Sequence, residues 1–333
     1  HLDGSVRIET ILDLGQQHDL PLPAWDLESL RPFVQVGASD STAPSVPGVM
    51  AFIAKFEWMV GVLVDAEACR RIAYENVEDA QREGIHYIEL RFSPWFMAEP
   101  HGLAPEAVVE AVVDGARQGQ RDTGVRVNLI GILSRTYGVD TTWIELEALL
   151  QHGDDLAALD LAGVEANWPG ELFEPHFDRA RDAGLQITVH AGEAAGADSV
   201  WHANDGLGAT RIGHGVAAAG DARLLDYLAE RQVGIESCLT SNIQTNTVSD
   251  YASHPLSRFL DHGLLATINT DDPGISAIDL PYEFEVAAPA AGLGPAQARQ
   301  AQRNALQVAF LSEQERAELA ASRQLDPATG LGV

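Results

Sequence analysis

Polar side chains that could bind a metal ion and move protons lie at the ends of apolar stretches of this sequence. His190 and Glu193 follow LQITV, His214 follows RIG, and Asp271 with Asp272 follows ATINT. Zinc accepts imidazole nitrogen and carboxylate oxygen, and a catalytic zinc site needs about three protein ligands with one position left for water. The pattern therefore predicts a catalytic metal site with one position left for water.

His190 and Asp271 are the first two ligands that we expect, and His1 is the third. Glu193 comes three residues after His190, where a carboxyl group beside a metal and shielded from water can act as a proton donor. The residues of segment 271–274, DDPG, are also typical of a turn. The metal site and the turn are compatible interpretations.

Short β-rich stretches alternate with helical patterns from about residue 85 onward. Such an alternation predicts parallel strands joined by crossover helices, and nearly continuous apolar strands indicate burial on both faces. In α/β barrels the active site is built at the carboxyl ends of the strands, where these polar residues lie. The predicted strands are 86–93, 125–134, 156–165, 185–193, 211–216, 233–242 and 264–273.

The fold that we expect is α/β, a (β/α)8 TIM barrel of the metal-dependent hydrolase type that forms a single domain over 1–333. An eighth strand is expected just before His1, so that the first strand is truncated in this sequence. A doubly wound open sheet is the alternative. Both folds use the same strand–helix alternation.

Residues 6–84 do not show this alternation, and helical patterns at 5–18 and 66–83 flank a stretch that contains Gly37, Pro44, Pro47 and Gly48. We interpret 6–84 as a helical insertion after the first strand that acts as a lid. Its aromatic residues either form an apolar cover or pack as ordinary core, and these are Phe52, Phe56 and Trp58.

Composition restricts the class of partner. The formal net charge is −28, with 49 acidic against 21 basic residues, which would repel nucleic-acid phosphates and anionic membranes. No segment approaches the roughly 20 apolar residues of a membrane-spanning helix. A small nucleoside is therefore a better candidate than a polynucleotide.

Cys69 and Cys238 make neither a disulfide framework nor a paired-cysteine zinc site, which fits a reducing cytoplasm.

Seven short motifs occur in an order that identifies a family. The chain resembles the metal-dependent adenosine deaminases, in particular the bacterial members, over essentially its whole length. Each motif alone is weak, but the set is highly specific. The motifs are HLDGS (1–5), ELRFSP (89–94), DLAG (160–163), VHAGE (189–193), RIGHG (211–215), ESCLTSN (236–242) and NTDDPG (269–274).

This resemblance implies one Zn²⁺ ion per chain, held by an HxH pair on the first strand together with His190 and Asp271. His1 matches the second histidine of the pair, and the first is expected two residues upstream of it. The resemblance also implies that Glu193 protonates purine nitrogen 1 and that His214 orients and deprotonates the attacking water.

The resemblance further implies which groups bind the substrate. Asp272 contacts ring nitrogen 7 and helps to position the hydroxide, while Gly163 is the backbone donor to ring nitrogen 3. Asp3, with His1, meets the ribose 5′-hydroxyl. The implied reaction is hydrolytic deamination of adenosine and 2′-deoxyadenosine to inosine and 2′-deoxyinosine with release of ammonia, as in purine salvage.

One departure from the family pattern concerns Val164, which stands where close relatives usually carry aspartate. This difference leaves open a different 6-aminopurine as the substrate, such as adenine or a modified adenosine. AMP is disfavoured, because the Asp3 carboxylate would repel a phosphate at close range. An inactive, N-terminally truncated nucleoside-binding form is a further alternative, since the upstream histidine precedes His1.

Overall fold

A computed structural model describes residues 1–36 and 48–323 of the chain. Within these ranges seven strands form one parallel sheet. All seven strands predicted from the sequence are confirmed, although β3 to β7 each end two to five residues earlier than expected. The strands are β1 (Tyr87–Phe92), β2 (Arg126–Ser134), β3 (Leu156–Ala162), β4 (Gln186–Ala191), β5 (Arg211–His214), β6 (Gly234–Ser237) and β7 (Leu265–Ile268).

The order of the strands decides between the two predicted architectures. The sheet runs from β1 to β7 in chain order, and each strand is parallel to its neighbour. A doubly wound sheet reverses its strand order at a switch point. This sheet has no reversal, so the doubly wound alternative is wrong.

The first residues of the chain lie between the two outer strands of the sheet. The backbone nitrogen of Leu2 donates to the carbonyl oxygen of Arg91 at 2.8 Å, and that of His1 donates to the carbonyl oxygen of Asp271 at 2.5 Å. Arg91 belongs to β1 and Asp271 follows β7. The sheet is therefore curled, with its edges close together, and the described residues contain seven of the eight strands expected.

Helices connect the strands, as the alternating pattern predicts. Capping explains several of their boundaries: the Asp65 side chain accepts from Ala68 N, and Pro105 begins a helix that ends before Gly124 at φ 73°. The helices of the described ranges are α1 (Ile8–Gln17), α2 (Leu27–Val34), α3 (Gly48–Ile53), α4 (Phe56–Val60), α5 (Ala66–Arg82), α6 (Pro94–Ala98), α7 (Pro105–Thr123), α8 (Val139–Leu150), α9 (Glu174–Asp182), α10 (Ala197–Asp205), α11 (Ala222–Arg231), α12 (Leu239–Gln244), α13 (Leu256–Asp261), α14 (Pro273–Ser276), α15 (Leu280–Tyr282), α16 (Ala288–Ala290), α17 (Pro295–Val308) and α18 (Glu313–Arg323).

The segment before β1 contains helices α1 to α5 and contacts the loop after β7. The backbone nitrogen of Val36 donates to the carbonyl oxygen of Ile275 at 2.9 Å, and the Gln35 side chain donates to that of Gly274 at 3.3 Å. Gly37, Pro44 and Pro47 lie outside the described residues. This segment therefore reaches the same end of the sheet as Asp271.

Two of the three aromatic residues predicted as a cover contact each other edge to face, and one of them also contacts helix α6. The Phe56 ring lies 6.2 Å from that of Phe52 and 5.6 Å from that of Phe96 in α6, while Trp58 packs on Phe33. Phe52 is buried, but Phe33 is 44% exposed. The cluster thus joins the core at one side and meets solvent at the other.

No helix in the described part of the chain is long and apolar enough to cross a membrane.

Close contact between α5 and α7 depends on a glycine. A Cβ atom at Gly115 would lie 2.2 Å from the carbonyl oxygen of Arg70, whereas one at Gly153 would meet no atom within 4 Å. We expect Gly115→Ala to lower the free energy of unfolding by about 1–3 kcal/mol, because the two helices must separate. Urea denaturation measures the loss, with Gly153→Ala as the control. Equal stability of the two variants would contradict this packing.

Candidate active site

Three ligand-type side chains from distant parts of the chain meet beyond the carboxyl ends of β4 and β7. Nε2 of His1 lies 3.1 Å from Nε2 of His190 and 3.4 Å from Oδ1 of Asp271. Ligand atoms of all three residues lie within 4.8 Å of one another. His190 and Asp271 are 81 positions apart, so only the parallel winding of the sheet brings them together.

Asp160, at the end of β3, fixes the ring of His190. Its Oδ2 atom lies 2.9 Å from Nδ1 of His190, and Oδ1 accepts the backbone N–H of His190 at 3.2 Å. Burial would raise the pKa of Asp160, but the positive charges of His190 and Arg91 outweigh it and lower the pKa. An ionised Asp160 holds the ring proton on Nδ1, which leaves Nε2 of His190 with a free lone pair.

His214 and Glu193 lie beside the three ligands. Nε2 of His214 is 3.5 Å from Oε2 of Glu193 and 3.9 Å from Oδ2 of Asp271. Burial alone would raise the pKa of Asp271, yet the neighbouring histidines, His214 first, lower it to about 2. Asp271 is therefore held as a carboxylate. Its Oδ2 also accepts a hydrogen bond from the Ser241 hydroxyl at 2.7 Å.

Two further carboxyl groups, those of Asp3 and Asp272, complete the cluster. Both are buried, and Oδ1 of each finds no hydrogen-bond partner among the described residues. Gly4 makes this approach possible, because a Cβ at that position would lie 1.7 Å from Oδ1 of Asp272. Oδ1 of Asp272 therefore packs against Gly4, and Oδ1 of Asp3 is the buried, unpartnered atom of the pair at which a ligand can bind.

The donor set fits a divalent cation. Burial lowers the pKa of His1, but Asp272, Asp271 and Asp3 together raise it. Burial and the charge of Asp271 raise the pKa of Asp272 well above its usual value. The cluster thus has a negative potential that favours positive charge. Two imidazoles and a carboxylate are also the ligand types of catalytic zinc sites.

A cavity of about 510 Å³ reaches this cluster from the side of β1 and β7. His1, His190, His214 and Asp271 line it, together with residues of the two outer strands. Glu193 and Asp272 do not line it. The cavity therefore opens between the edges of the sheet and extends inside it to Arg211 of β5 and Glu236 of β6.

Known proteins are similar to this chain over nearly its whole length. The adenosine deaminase family model matches residues 1–323. Curated adenosine deaminases of Vibrio parahaemolyticus and Serratia proteamaculans are 58% and 59% identical over 319 residues, which is 96% of this chain and 94% of each relative. This chain belongs to the adenosine deaminase family. The solved adenine deaminase of Arthrobacter aurescens is 26% identical, with a TM-score of 0.87 over 96% of this chain and 95% of that one.

Most of the site residues predicted for this adenosine deaminase family member lie in one cluster. His1, His190, His214 and Asp271 face one another, and Glu193 reaches His214. Asp3 and Asp272 lie beside His1, close enough to be grouped with it as possible ligands. Gly163 follows β3 at an exposed position with φ 112°, and it makes none of these contacts.

Glu165 lies two positions after the DLAG motif, and no role was predicted for it from the sequence. Its buried carboxylate accepts the backbone N–H groups of Gly192 at 2.7 Å, Glu193 at 3.2 Å, Ala194 at 2.9 Å and Ala195 at 3.0 Å. The Ser199 hydroxyl donates to it as well. One side chain thus fixes the loop that carries Glu193 and ties it to the loop after β3.

The Glu165 contacts predict a local effect of substitution. Glu165→Gln keeps one acceptor oxygen but turns an NH₂ group towards backbone N–H groups. We expect amide hydrogen exchange at residues 192–195 to accelerate by about tenfold or more, since a hydrogen bond to a charged group contributes about 1.5–3 kcal/mol. Mass-spectrometric exchange measures this, with Glu174→Gln as the control because the Glu174 side chain is 50% exposed. Unchanged exchange in Glu165→Gln would show that the loop is held by other contacts.

Proposed function

We propose that this protein hydrolyses adenosine, and 2′-deoxyadenosine, to inosine or 2′-deoxyinosine and ammonia. One observation carries the proposal: His1, His190 and Asp271 converge beside His214 and Glu193 at one end of the sheet. The curated relatives that are 58% and 59% identical are named adenosine deaminases, which supports the same substrate here.

We assign His1, His190 and Asp271 as ligands of one Zn²⁺ ion. A solved amidohydrolase of the same fold, 24% identical, is described with bound zinc. When bound, such an ion makes water acidic enough to act as a nucleophile near neutral pH. The Asp160 contact supports the assignment, because it leaves Nε2 of His190 able to bind a cation.

The protein's own residues then divide the proton transfers and the orientation of the reactants. Glu193 donates a proton to purine nitrogen 1, which concentrates electron deficiency at carbon 6 as water adds there. His214 orients the attacking oxygen. The proton that this oxygen loses passes through the Asp271 carboxylate, which lies beside His214, to the departing amino group, and the hydroxyl proton then left on carbon 6 returns to Glu193. Asp272 binds ring nitrogen 7. Gly163 is the proposed backbone donor to ring nitrogen 3. The former 6-amino group leaves as ammonia.

Asp3 supports a nucleoside over a free base as the substrate. Its carboxyl group is 2% exposed and has an unpartnered oxygen, which suits a donor hydroxyl such as the ribose 5′-OH. Adenine has no such hydroxyl, and AMP carries a phosphate there. Adenine is the second candidate substrate, because the Arthrobacter aurescens structure is named an adenine deaminase.

We also propose that a strand formed by residues upstream of His1 closes the sheet into an eight-stranded barrel. The cavity between β1 and β7 and the position of His1 between their ends support this closure. The chain is then one barrel domain, with helices α1 to α5 of the segment before β1 as its lid, which the contacts of Gln35 and Val36 with the loop after β7 support. Two buried free cysteines agree with a cytoplasmic setting.

A substrate comparison tests the reaction. The protein, loaded with zinc, should deaminate adenosine and deoxyadenosine with higher kcat/KM than adenine or AMP, as followed by loss of absorbance near the adenine band. Glu193→Gln should fold normally and lose about 10²–10⁴-fold in kcat, the range for removing a general acid. A preference for AMP would contradict the role of Asp3. Normal turnover by Glu193→Gln would contradict the role of Glu193.

Metal affinity tests the contact between Asp160 and His190. We expect Asp160→Asn to weaken zinc binding by about 10–100-fold, because His190 loses the carboxylate that orients its ring. Competition with a chromophoric chelator measures the dissociation constant. Asp226→Asn is the control, since the Asp226 side chain is 76% exposed. If both variants bound zinc equally well, Asp160 would have no part in the site.

A further inference from the structure

The ring of His214 ends a hydrogen-bonded chain that starts at a backbone amide. The N–H of Leu256, at the start of α13, donates to Nδ1 of His254 at 3.2 Å. Nε2 of His254 lies 3.1 Å from Oδ1 of Asn242, and Nδ2 of Asn242 lies 3.0 Å from Nδ1 of His214. The three side chains are buried, so the chain is shielded from water.

The backbone amide of Leu256 sets the direction of the first link. A backbone nitrogen can only donate, so Nδ1 of His254 must accept. Burial and the nearby His214 lower the pKa of His254 to about 4, so its ring is neutral near pH 7. A neutral imidazole carries one proton, which must therefore lie on Nε2 of His254.

The second link fixes the orientation of the Asn242 amide. Nε2–H of His254 needs an acceptor, and only Oδ1 of Asn242 can serve, because the amide nitrogen is a donor. The opposite orientation would set two N–H groups against each other. The backbone N–H of Leu256 therefore fixes which end of the Asn242 amide faces His254. Nδ2 of Asn242 then faces His214 as a donor.

We propose that this chain sets the tautomer of His214, so that neutral His214 accepts at Nδ1 and carries its proton on Nε2. The facing groups agree, since Nε2 lies 3.5 Å from Oε2 of Glu193 and 3.9 Å from Oδ2 of Asp271, both of them acceptors. A second ring proton would have to lie on Nδ1, against the amide hydrogens of Asn242.

The consequence for the reaction rests on the proposed function. With its proton on Nε2, His214 binds the attacking oxygen as a hydrogen-bond donor and does not take a proton from it, so that proton goes to the neighbouring Asp271 carboxylate. The family resemblance implies that His214 both orients and deprotonates the water. The hydrogen-bonded chain is compatible with the orienting role and excludes the deprotonating role. Asn242 and His254 are positioning residues that act through His214.

Nitrogen NMR of the zinc-loaded, full chain with ¹⁵N-labelled histidine rings tests the tautomer directly. Protonated and unprotonated ring nitrogens have distinct shifts, and their couplings to ring carbon-bound hydrogens identify Nδ1 and Nε2. We expect His214 to show unprotonated Nδ1 and protonated Nε2, and His254 to show the same pattern. Protonated Nδ1 on His214 would overturn the proposal, whatever the activity.

Asn242→Asp tests the catalytic consequence. A carboxylate only accepts, so both rings must donate to it and His214 must move its proton to Nδ1. We expect the NMR pattern of His214 to reverse and kcat for adenosine to fall by about 10²-fold, the cost of losing one donor aimed at the reacting oxygen. The loss should lie in kcat with KM little changed, which marks an interaction made in the transition state. A reversed tautomer with unchanged kcat would overturn the donor role.

Two further variants separate this effect from loss of structure. His254→Gln retains a side-chain N–H that can donate to Oδ1 of Asn242, so His214 should keep its tautomer. His262→Gln alters an exposed histidine paired with Asp226 and should leave the His214 signals unchanged. A change in the His214 tautomer in the His254→Gln variant would contradict the proposed chain of hydrogen bonds. If the wild-type protein gave the expected spectrum but did not turn over adenosine, the proposed function would be wrong. The tautomer assignment would still be supported.

Discussion

The buried carboxylate of Asp160 is the interaction on which the cluster at the end of the sheet depends. It faces Nδ1 of His190 on one side and accepts from the Arg91 guanidinium at 2.8 Å on the other. Arg91 in turn donates to Glu236 at 2.5 Å, and Glu236 faces Arg211. A buried ion remains charged only when such partners offset its loss of hydration. The orientation of His190 thus follows from charges that neighbouring strands supply inside the curled sheet.

Buried glutamates hold the loops that surround this cluster. Glu165 fixes the loop after β4, while Glu145 in α8 accepts from the Ser134 backbone N–H at 2.6 Å and the Ser93 hydroxyl at 2.7 Å. Glu283 accepts the N–H of Thr240 after β6 at 3.1 Å. Loops have few partners of their own and are usually mobile. Here buried carboxylates accept N–H groups at the end of β2, in the first turn of α12 and in the loop after β4, so the segments around the site are held in place.

The sequence predicts the strands and most site residues, because buried parallel strands are apolar runs that end in polar residues such as His190 and Asp271. The partners of those residues could not be predicted in the same way. Asn242 lies in α12 and His254 lies 12 positions later, before α13, so only the folded chain brings the two side chains together beside His214. Likewise the DLAG motif marks Asp160, but its contact with His190 needs the pairing of β3 with β4.

Neighbouring histidines on β4 and β5 acquire opposite chemistry from their partners. The ring centroids of His190 and His214 are 5.0 Å apart, and the register pairs His190 with Gly213. A carboxylate accepts at Nδ1 of His190 and leaves Nε2 a lone pair, as a metal ligand needs. An amide donates to Nδ1 of His214 and leaves Nε2 a proton, as a donor to a reacting oxygen needs. Identical rings on adjacent strands therefore perform different tasks because one faces an acceptor and the other a donor.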